Sequence, residues 1–312
     1  MRPEAIELLL ATFAESRNPS QVEAFLRLQM DQVRGRGEEA DRSVRPRLEL
    51  DPGVRRRAED RLRQAVARAE SMNGFLITPW DESYPRRLRA ITGPPPVLYC
   101  IGNGLSLLER SVALVGSLTP SRWGVETAIA IAGHLSRREW TIVSGLAVGI
   151  DRRVHQETIR CGGRTVAVLP GALDQVSPAA HRDLAGEILE SGGLLVSELP
   201  FGTQPNPATR IRRDRIQSGI CLATILVESE LEGGAMHTAR FALAQGRSLY
   251  ASVPRDSSRF QSRGALKLLY EDRVAMPLEV PEGLTAFERD LASCLRREGE
   301  AGRGPFSDSP QP

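Results

Sequence analysis

A regular alternation of short apolar segments and amphipathic segments, from residue 111 to residue 254, is the strongest constraint on the fold. A continuous apolar run such as SVALVG (111–116) is typical of a parallel strand that is buried on both faces. Strands that alternate with helices predict an α/β, doubly wound, mostly parallel sheet with helices on both faces. The predicted strands are 111–116, 141–145, 164–171, 194–200, 223–229 and 248–254, and the predicted helices are 123–138, 151–161, 181–191, 208–221 and 234–246.

The two ends of the chain differ in composition from this alternating region. Residues 1–70 have helical spacing at the start and dense charge afterwards, which predicts a small N-terminal helical and charged segment. Residues 281–312 are polar and rich in glycine and proline, which predicts a disordered tail. The sheet domain is therefore predicted at 72–275.

Composition excludes several classes of protein. No apolar run reaches the roughly 18 residues that a membrane span needs, and the first residues lack the basic start of a signal peptide. The four cysteines form no CxxC pair, which disfavours a zinc knuckle or a redox dithiol. We expect a cytoplasmic protein with four buried thiols. The net charge of +2 does not by itself indicate a nucleic-acid partner.

Ligands of an open parallel sheet bind beyond the carboxyl ends of its strands, so the residues that follow each strand are informative. Gly116, Ser117 and Ser121 follow the first strand, and Arg122 comes next. Small residues, hydroxyl groups and a helix N-terminus together favour an anion. An ordinary turn in which Ser121 caps the helix explains the same residues equally well.

Two further strand ends have similar compositions. Gly145 opens a glycine-rich turn into a helix that carries Asp151 and His155. Asp151 is either the N-cap of this helix or a residue that orients a loop or ligand, and a lone helical histidine is more often packed than catalytic. Gly234 and Thr238 stand at the start of a later helix, again just after a strand.

Four arginines in six residues, RIRRDR (210–215), open the helix after the fourth of these strands. Such a charge run is usually a solvated face. Its predicted position at the ligand edge of the sheet also fits contact with phosphate through Arg213 and Arg215. Both interpretations stay open at this point.

Catalytic chemistry has no clear signature in the sequence. The four histidines lie in separate segments without the HxxxH or HxH spacing of a metal site, and no nucleophile with a neighbouring base is evident. We therefore expect neither an enzyme nor a metal or other cofactor.

A series of short pieces recurs along the chain in a characteristic order. The pieces are Tyr84-Pro85-Arg86-Arg87-Leu88, Gly116-Ser117, Ser144-Gly145-Leu146-Ala147, Gly149-Ile150-Asp151 with His155, Arg213, Arg215-Ile216, Val227-Glu228, Gly234 and Thr238-Ala239. Each piece alone is weak, but in this order they resemble the DprA/Smf family of DNA-processing proteins.

This resemblance implies an extended Rossmann-like fold that binds single-stranded DNA and helps to load a strand-exchange recombinase of the RecA type during natural transformation or recombinational repair. It also implies a homodimer and no catalysis. The residues expected at the nucleic-acid site are Gly116, Ser117, Ser121, Arg122, Gly145, Arg152, Arg164, Arg213, Arg215, Gly234 and Thr238.

This sequence departs from the family pattern at positions where cations are usual. Leu118 and Val148 replace arginines that follow or precede the glycine turns, and Asp214 replaces a neutral amide. These changes predict weaker phosphate binding, unless other arginines compensate. Two alternatives remain open: a Rossmann-like sensor or hydrolase of nucleotide derivatives, and an interaction protein whose DNA site is degenerate.

Overall fold

The computed structural model describes residue 10 and residues 51–301. Its centre is one sheet of nine strands in the order β1-β2-β6-β5-β4-β3-β7-β8-β9. Strands β3 to β9 pair in parallel, whereas β1 and β2 are antiparallel additions beyond β6. The prediction of a mostly parallel, doubly wound sheet is therefore confirmed.

The strands are β1 (Gly74–Ile77), β2 (Leu98–Gly102), β3 (Ser111–Val115), β4 (Thr141–Ser144), β5 (Thr165–Val168), β6 (Leu194–Ser197), β7 (Ala223–Leu226), β8 (Ser248–Ser252) and β9 (Met276–Leu278). The α-helices are α1 (Pro52–Ser71), α2 (Arg86–Arg89), α3 (Arg122–Ser136), α4 (Ile150–Arg160), α5 (Arg182–Glu190), α6 (Pro207–Gly219), α7 (Ala235–Ala244), α8 (Arg263–Leu266) and α9 (Leu284–Ala301). A π-helical turn, Lys267–Glu271, continues α8.

Every predicted strand and helix of the alternating region is present, but the strands are shorter than predicted. The run 164–171, for example, contains the strand Thr165–Val168 and then leaves the sheet. Loop residues beyond a strand can be as apolar as the strand itself, because they are also buried. Apolarity alone therefore overestimates strand length.

Alternate residues of each central strand pack against opposite layers of helices. On β3, Val112 and Leu114 belong to a core that includes Ile131 of α3. Ala113, between them, packs in the core that includes Ile216 of α6. Both faces of the sheet are thus covered, which explains why the strand sequences are continuously apolar.

The C-terminal region differs from the prediction. Residues 281–312 were expected to be a disordered tail, yet Leu284–Ala301 forms helix α9. Leu284, Phe287 and Leu291 are buried, and the ring centroid of Phe287 lies 4.6 Å from that of Tyr250. A sparse apolar set at helical spacing is enough to dock the helix, although its overall composition is polar. The compact unit consequently extends past residue 275.

The structure describes only part of the predicted N-terminal segment, residues 1–70. Helix α1 confirms helical structure in the charged segment, and Asp51 caps it by accepting a hydrogen bond from Gly53 N at 2.9 Å. Apart from Leu10, which is buried, the predicted segment 1–50 lies outside the described residues.

Candidate nucleic-acid interface

A cavity of about 530 Å³ opens where the chain reverses its direction across the sheet. Strands β4, β5 and β6 lie on one side of β3, and β7, β8 and β9 lie on the other. The connections that leave the carboxyl ends of the neighbouring strands β3 and β7 therefore run in opposite directions. Ligand sites of open α/β sheets lie at such a point. Of the predicted site residues, the cavity brings together Gly116, Ser117, Gly145, Arg213, Gly234 and Thr238.

Three loops form this switch-point cavity: a first loop (116–121) after β3, a second loop (145–149) after β4 and a third loop (228–234) after β7. In the first loop, Ser121 caps α3 by accepting a hydrogen bond from Gly124 N at 3.0 Å. Its hydroxyl donates to Oε1 of the buried Glu228 at 2.7 Å. Ser121 therefore serves the structure of the loop, as its capping interpretation predicts.

The carboxylate of Asp151 fixes the second loop through hydrogen bonds to its backbone. Its Oδ2 accepts hydrogen bonds from Gly145 N at 3.1 Å and from Ala147 N at 3.4 Å. The N-cap of α4 is Gly149, so the capping alternative for Asp151 is wrong and the loop-orienting alternative is confirmed. Burial raises the pKa of Asp151, and the nearby Arg213 partly opposes this shift.

The Arg213 side chain lies buried beside the cavity, where its hydrogen bonds are made to other residues of the protein. Its Nη1 donates to Gly145 O at 2.8 Å and to Val168 O at 2.5 Å, and its Nε donates to Asp214 Oδ1 at 3.0 Å. A Cβ on Gly145 would overlap the Arg213 guanidinium. This glycine therefore makes room for an internal arginine, and the backbone surface that the sequence analysis assigned to phosphate is covered.

Arg215 is also directed inward. Its Nη2 pairs with Glu198 Oε2, and both side chains are about nine-tenths buried. Arg212, which is exposed, binds the other oxygen of Glu198 at 3.1 Å. The placement of Arg213 and Arg215 corrects the expectation that they are surface phosphate contacts, because α6 turns these two positions toward the sheet.

Exposed arginines remain around the carboxyl edge of the sheet. Arg122, in the first turn of α3, has a side chain that is 92% exposed. Within the described part of the chain its one ion pair is with Glu126, at 2.8 Å. Arg152 is exposed in the first turn of α4, and Arg210 lines the cavity from α6. Arg164 immediately precedes β5 and thus lies at the opposite edge, so the structure does not bring it to this site.

The rim of the cavity is aliphatic where the family pattern has cations. Leu118, Val148 and Ile211 all line the cavity, and their side chains are 55%, 45% and 41% exposed. The loops of Leu118 and Val148 are adjacent, because a Cβ on Gly149 would meet the Leu118 carbonyl. The loss of positive charge that the sequence predicted is therefore located at the mouth of the cavity.

The third loop contributes carboxylates. Glu230 and Glu232 line the cavity together with Gly234 and the buried Thr238. Glu230 Oε1 accepts a hydrogen bond from the hydroxyl of Ser117 at 2.7 Å. Apart from its own chain neighbours, no atom of the described residues lies within 4 Å of a Cβ built on Gly234, so this glycine keeps open space above its backbone.

Gln217 and Asp214 form the deep part of the cavity. Gln217 is 1% exposed, and its Nε2 has no hydrogen-bond partner among the residues that the structure describes. Burial raises the pKa of Asp214 to about 6, and the ion pair with Arg213 only partly opposes this shift. The cavity lining therefore includes a buried amide whose Nε2 has no partner in the described part of the chain, beside a carboxyl group whose pKa is raised to about 6.

His155 of α4 has a structural environment, whereas His237 of α7 is the histidine found among the residues that line the cavity. His155 is completely buried, and its Nδ1 lies 2.7 Å from Thr165 Oγ1. Burial lowers its pKa to about 3, so it is neutral at physiological pH. Within residues 51–301, no group of His, Cys, Asp and Glu side chains is arranged to hold a metal ion, and no helix is long and apolar enough to cross a membrane.

Gln217 and Glu230 line the cavity but are not among the residues predicted from the sequence. Gln217 was detectable, since it follows Arg210 and Arg213 at the helical spacing i, i+3 and i+7 and must share their face. Glu230 had no comparable signal, because only the folded chain brings the third loop against Ser117.

Comparisons with known proteins agree with this architecture. Residues 75–287 match the family model described as DNA recombination-mediator protein A. A relative named Protein Smf from Synechocystis is 35% identical over 212 residues, which cover 66% of this chain and 52% of that protein. Protein Smf of Escherichia coli is 38% identical over 182 residues, covering 58% and 49%. The chain thus spans about half the length of these two relatives.

Solved structures show the same fold. The X-ray structure of DNA processing protein A from Streptococcus pneumoniae superimposes with a TM-score of 0.68 at 25% identity, covering 91% of this chain and 98% of that one. A Helicobacter pylori DNA processing protein A, whose structure concerns a single-stranded DNA binding mode, gives a TM-score of 0.61 at 24% identity over 70% of this chain and 96% of that one. Together with the family model, these likenesses show that the chain belongs to the DNA recombination-mediator protein A family, also called DprA/Smf.

Proposed function

We propose that this protein binds single-stranded DNA and mediates recombination by helping a RecA-type recombinase to load on that DNA, in natural transformation or recombinational repair. The observation that carries the proposal is the family match across residues 75–287, which contains the sheet and the whole switch-point cavity. The proposed role is binding without a catalytic step, and the proposed assembly is a homodimer.

The positions of exposed arginines support contact with the phosphate backbone of the DNA as the source of affinity for single-stranded DNA. Arg122, Arg152 and Arg210 are exposed at the edge where the cavity opens. Each phosphate that an arginine neutralises releases counterions, so affinity should fall as salt rises. Phosphate contacts carry no sequence information, and we therefore expect little preference for particular bases from this set of residues.

A titration tests this function. Labelled oligo-dT, a duplex of equal length and free mononucleotides are each titrated with the protein by fluorescence anisotropy or competition, over a series of salt concentrations. We expect oligo-dT to bind most tightly and with clear salt dependence. Tight, salt-insensitive binding of a mononucleotide with no affinity for oligo-dT would reject the DNA proposal.

That outcome would support the second candidate, a sensor of nucleotide derivatives. A specific observation favours keeping it: the cavity has the volume of a small-molecule site, and the buried Nε2 of Gln217 has no partner in the described part of the chain. Recombinase loading needs a separate assay, in which the protein is added to single-stranded DNA coated with a single-strand-binding protein and recombinase filament formation is timed.

A further inference from the structure

The third loop places the carboxylate of Glu230 at the switch-point cavity, beside the first loop. Glu230 Oε1 accepts the hydrogen bond of the Ser117 hydroxyl, and Ser117 belongs to the glycine loop at the end of β3. Oε2 of the same carboxylate lies against Gly233, since a Cβ on that glycine would come within 2.9 Å of it. One carboxylate therefore bridges the two loops that flank the switch point.

The turn beneath Glu230 is held in place by its own hydrogen bonds. Its carbonyl oxygen accepts from Gly233 N at 3.1 Å and from the hydroxyl of Ser229 at 2.9 Å. Ser117 is 2% exposed, and its Oγ also accepts from Thr119 N at 3.1 Å. Both partners of the carboxylate–hydroxyl contact are thus fixed by local structure, so the contact belongs to the folded loops.

Surrounding charges reinforce this arrangement. Glu232 lines the same cavity and is exposed, Leu118 and Val148 add no cation at the rim, and Arg210 is an exposed cation of α6 that also lines the cavity. Arg213 is already bound to two carbonyl oxygens and Asp214. A phosphate that approached Ser117 would meet a like charge that already holds its hydroxyl donor.

We propose that Glu230 is a specificity-determining residue that excludes phosphate from the switch-point cavity by occupying the Ser117 hydroxyl. The phosphates of a bound strand then contact the exposed arginines at the edge of the cavity, Arg122, Arg152 and Arg210, and do not reach Ser117. The role of Glu230 in DNA binding rests on the proposed function. Its effect on anions does not, because removing the Glu230 charge should let phosphate bind at Ser117 in any case.

The test compares Glu230→Gln with wild type and with Glu190→Gln. Glutamine keeps an oxygen that can accept from Ser117, so folding should be retained while the charge is lost. Glu190 is an exposed glutamate at the end of α5, at the opposite edge of the sheet, and its change alters the net charge equally. It therefore separates a local effect from a general electrostatic one.

Inorganic phosphate is the first probe, and it does not depend on DNA binding. The melting temperature of each protein is measured with added phosphate against chloride of equal ionic strength. We expect phosphate to stabilise Glu230→Gln but neither wild type nor Glu190→Gln. Equal responses of Glu230→Gln and wild type would overturn the proposal, and so would an equal gain in Glu190→Gln.

Oligo-dT is the second probe. With one additional phosphate contact, Glu230→Gln should bind roughly tenfold more tightly at low salt, and its salt slope should steepen by about 0.7. Adding Ser117→Ala to Glu230→Gln should abolish this gain. Unchanged affinity and slope in a Glu230→Gln protein whose wild type binds DNA would reject the inference. Absence of oligo-dT binding in both proteins would reject the proposed function, and the phosphate measurement would still decide the role of Glu230.

Discussion

The Nη1 atom of Arg213 donates a hydrogen bond to the carbonyl oxygen of Gly145 at 2.8 Å and so ties helix α6 to the glycine loop after β4. The same nitrogen reaches Val168 O at the end of β5. Arginine is a residue type that often contacts phosphate, yet here it joins α6, the second loop and the end of β5. Its role in shaping the cavity leads to the first prediction.

Arg213→Ala should strongly destabilise the protein, because it leaves two carbonyl oxygens and Asp214 without their partner. Each buried acceptor that is left without a hydrogen bond typically costs about 1–3 kcal/mol. Arg212→Ala is the matched control, since Arg212 is 57% exposed and its ion pair should be worth less than about 1 kcal/mol. Urea unfolding measures both, and comparable losses in the two variants would contradict the buried role.

Asp214→Asn should stabilise the protein at neutral pH. Burial raises the pKa of Asp214 to about 6, so the folded state binds this proton more tightly than the unfolded state does. Stability is therefore lost as pH rises from the ordinary value of about 3.9 through the folded value, by an amount on the order of 2 kcal/mol. Asparagine avoids that loss.

Unfolding of wild type and Asp214→Asn should be compared at about pH 4 and about pH 7.5, on either side of this titration. The variant should gain stability at the higher pH and gain little at the lower one. Asp290→Asn, which removes a carboxylate at an exposed position of α9, is the control for the change in net charge. A constant difference at both pH values would show that Asp214 does not titrate in this way.

Exposed arginines should carry the salt dependence of DNA binding. Changing Arg122, Arg152 or Arg210 to Ala should lower the affinity for oligo-dT and reduce the salt slope by about 0.7 for each lost phosphate contact. Arg164→Ala is the control, because Arg164 precedes β5 at the opposite edge of the sheet. If Arg164→Ala weakened binding as much as the other changes, the DNA path would have to extend around the domain.

Helix α9 should be part of the folded unit. Phe287→Ala removes a ring that is 2% exposed and packs edge-to-face on Tyr250, and such large-to-small changes typically cost about 3–5 kcal/mol. Arg289→Ala, at an exposed position of the same helix, should cost little. Thermal unfolding distinguishes them. A negligible effect of Phe287→Ala would indicate that the helix contributes nothing to stability.

Most of the fold could be predicted from sequence because buried parallel strands and amphipathic helices leave periodic signals. The core of β3 shows this, since Val112, Ala113 and Leu114 are all apolar and point alternately to two helical layers. Helix α9 could not be recognised in the same way. Its three buried anchors are diluted by charged residues, so composition indicated a tail where spacing would have indicated a docked helix.

The candidate site was predicted less completely, because a residue type does not specify the direction of its side chain. The positions of Gly116, Ser117 and Gly145 at strand ends follow from chain order, and the cavity confirms them. Whether an arginine on α6 faces solvent or the sheet depends on the rotation of that helix. This rotation buries Arg213 and leaves Arg210 exposed.

The sequence by itself determined the family, the parallel sheet and the edge at which the switch-point cavity opens, since these depend on local order and periodicity. Only the tertiary structure decided which charges are available there. Arg213 binds Gly145, Arg215 pairs with Glu198, and Glu230 holds the Ser117 hydroxyl. The physical reason is that donors and acceptors distant in sequence satisfy one another only when folding brings them within hydrogen-bond distance, and no local pattern records those pairings.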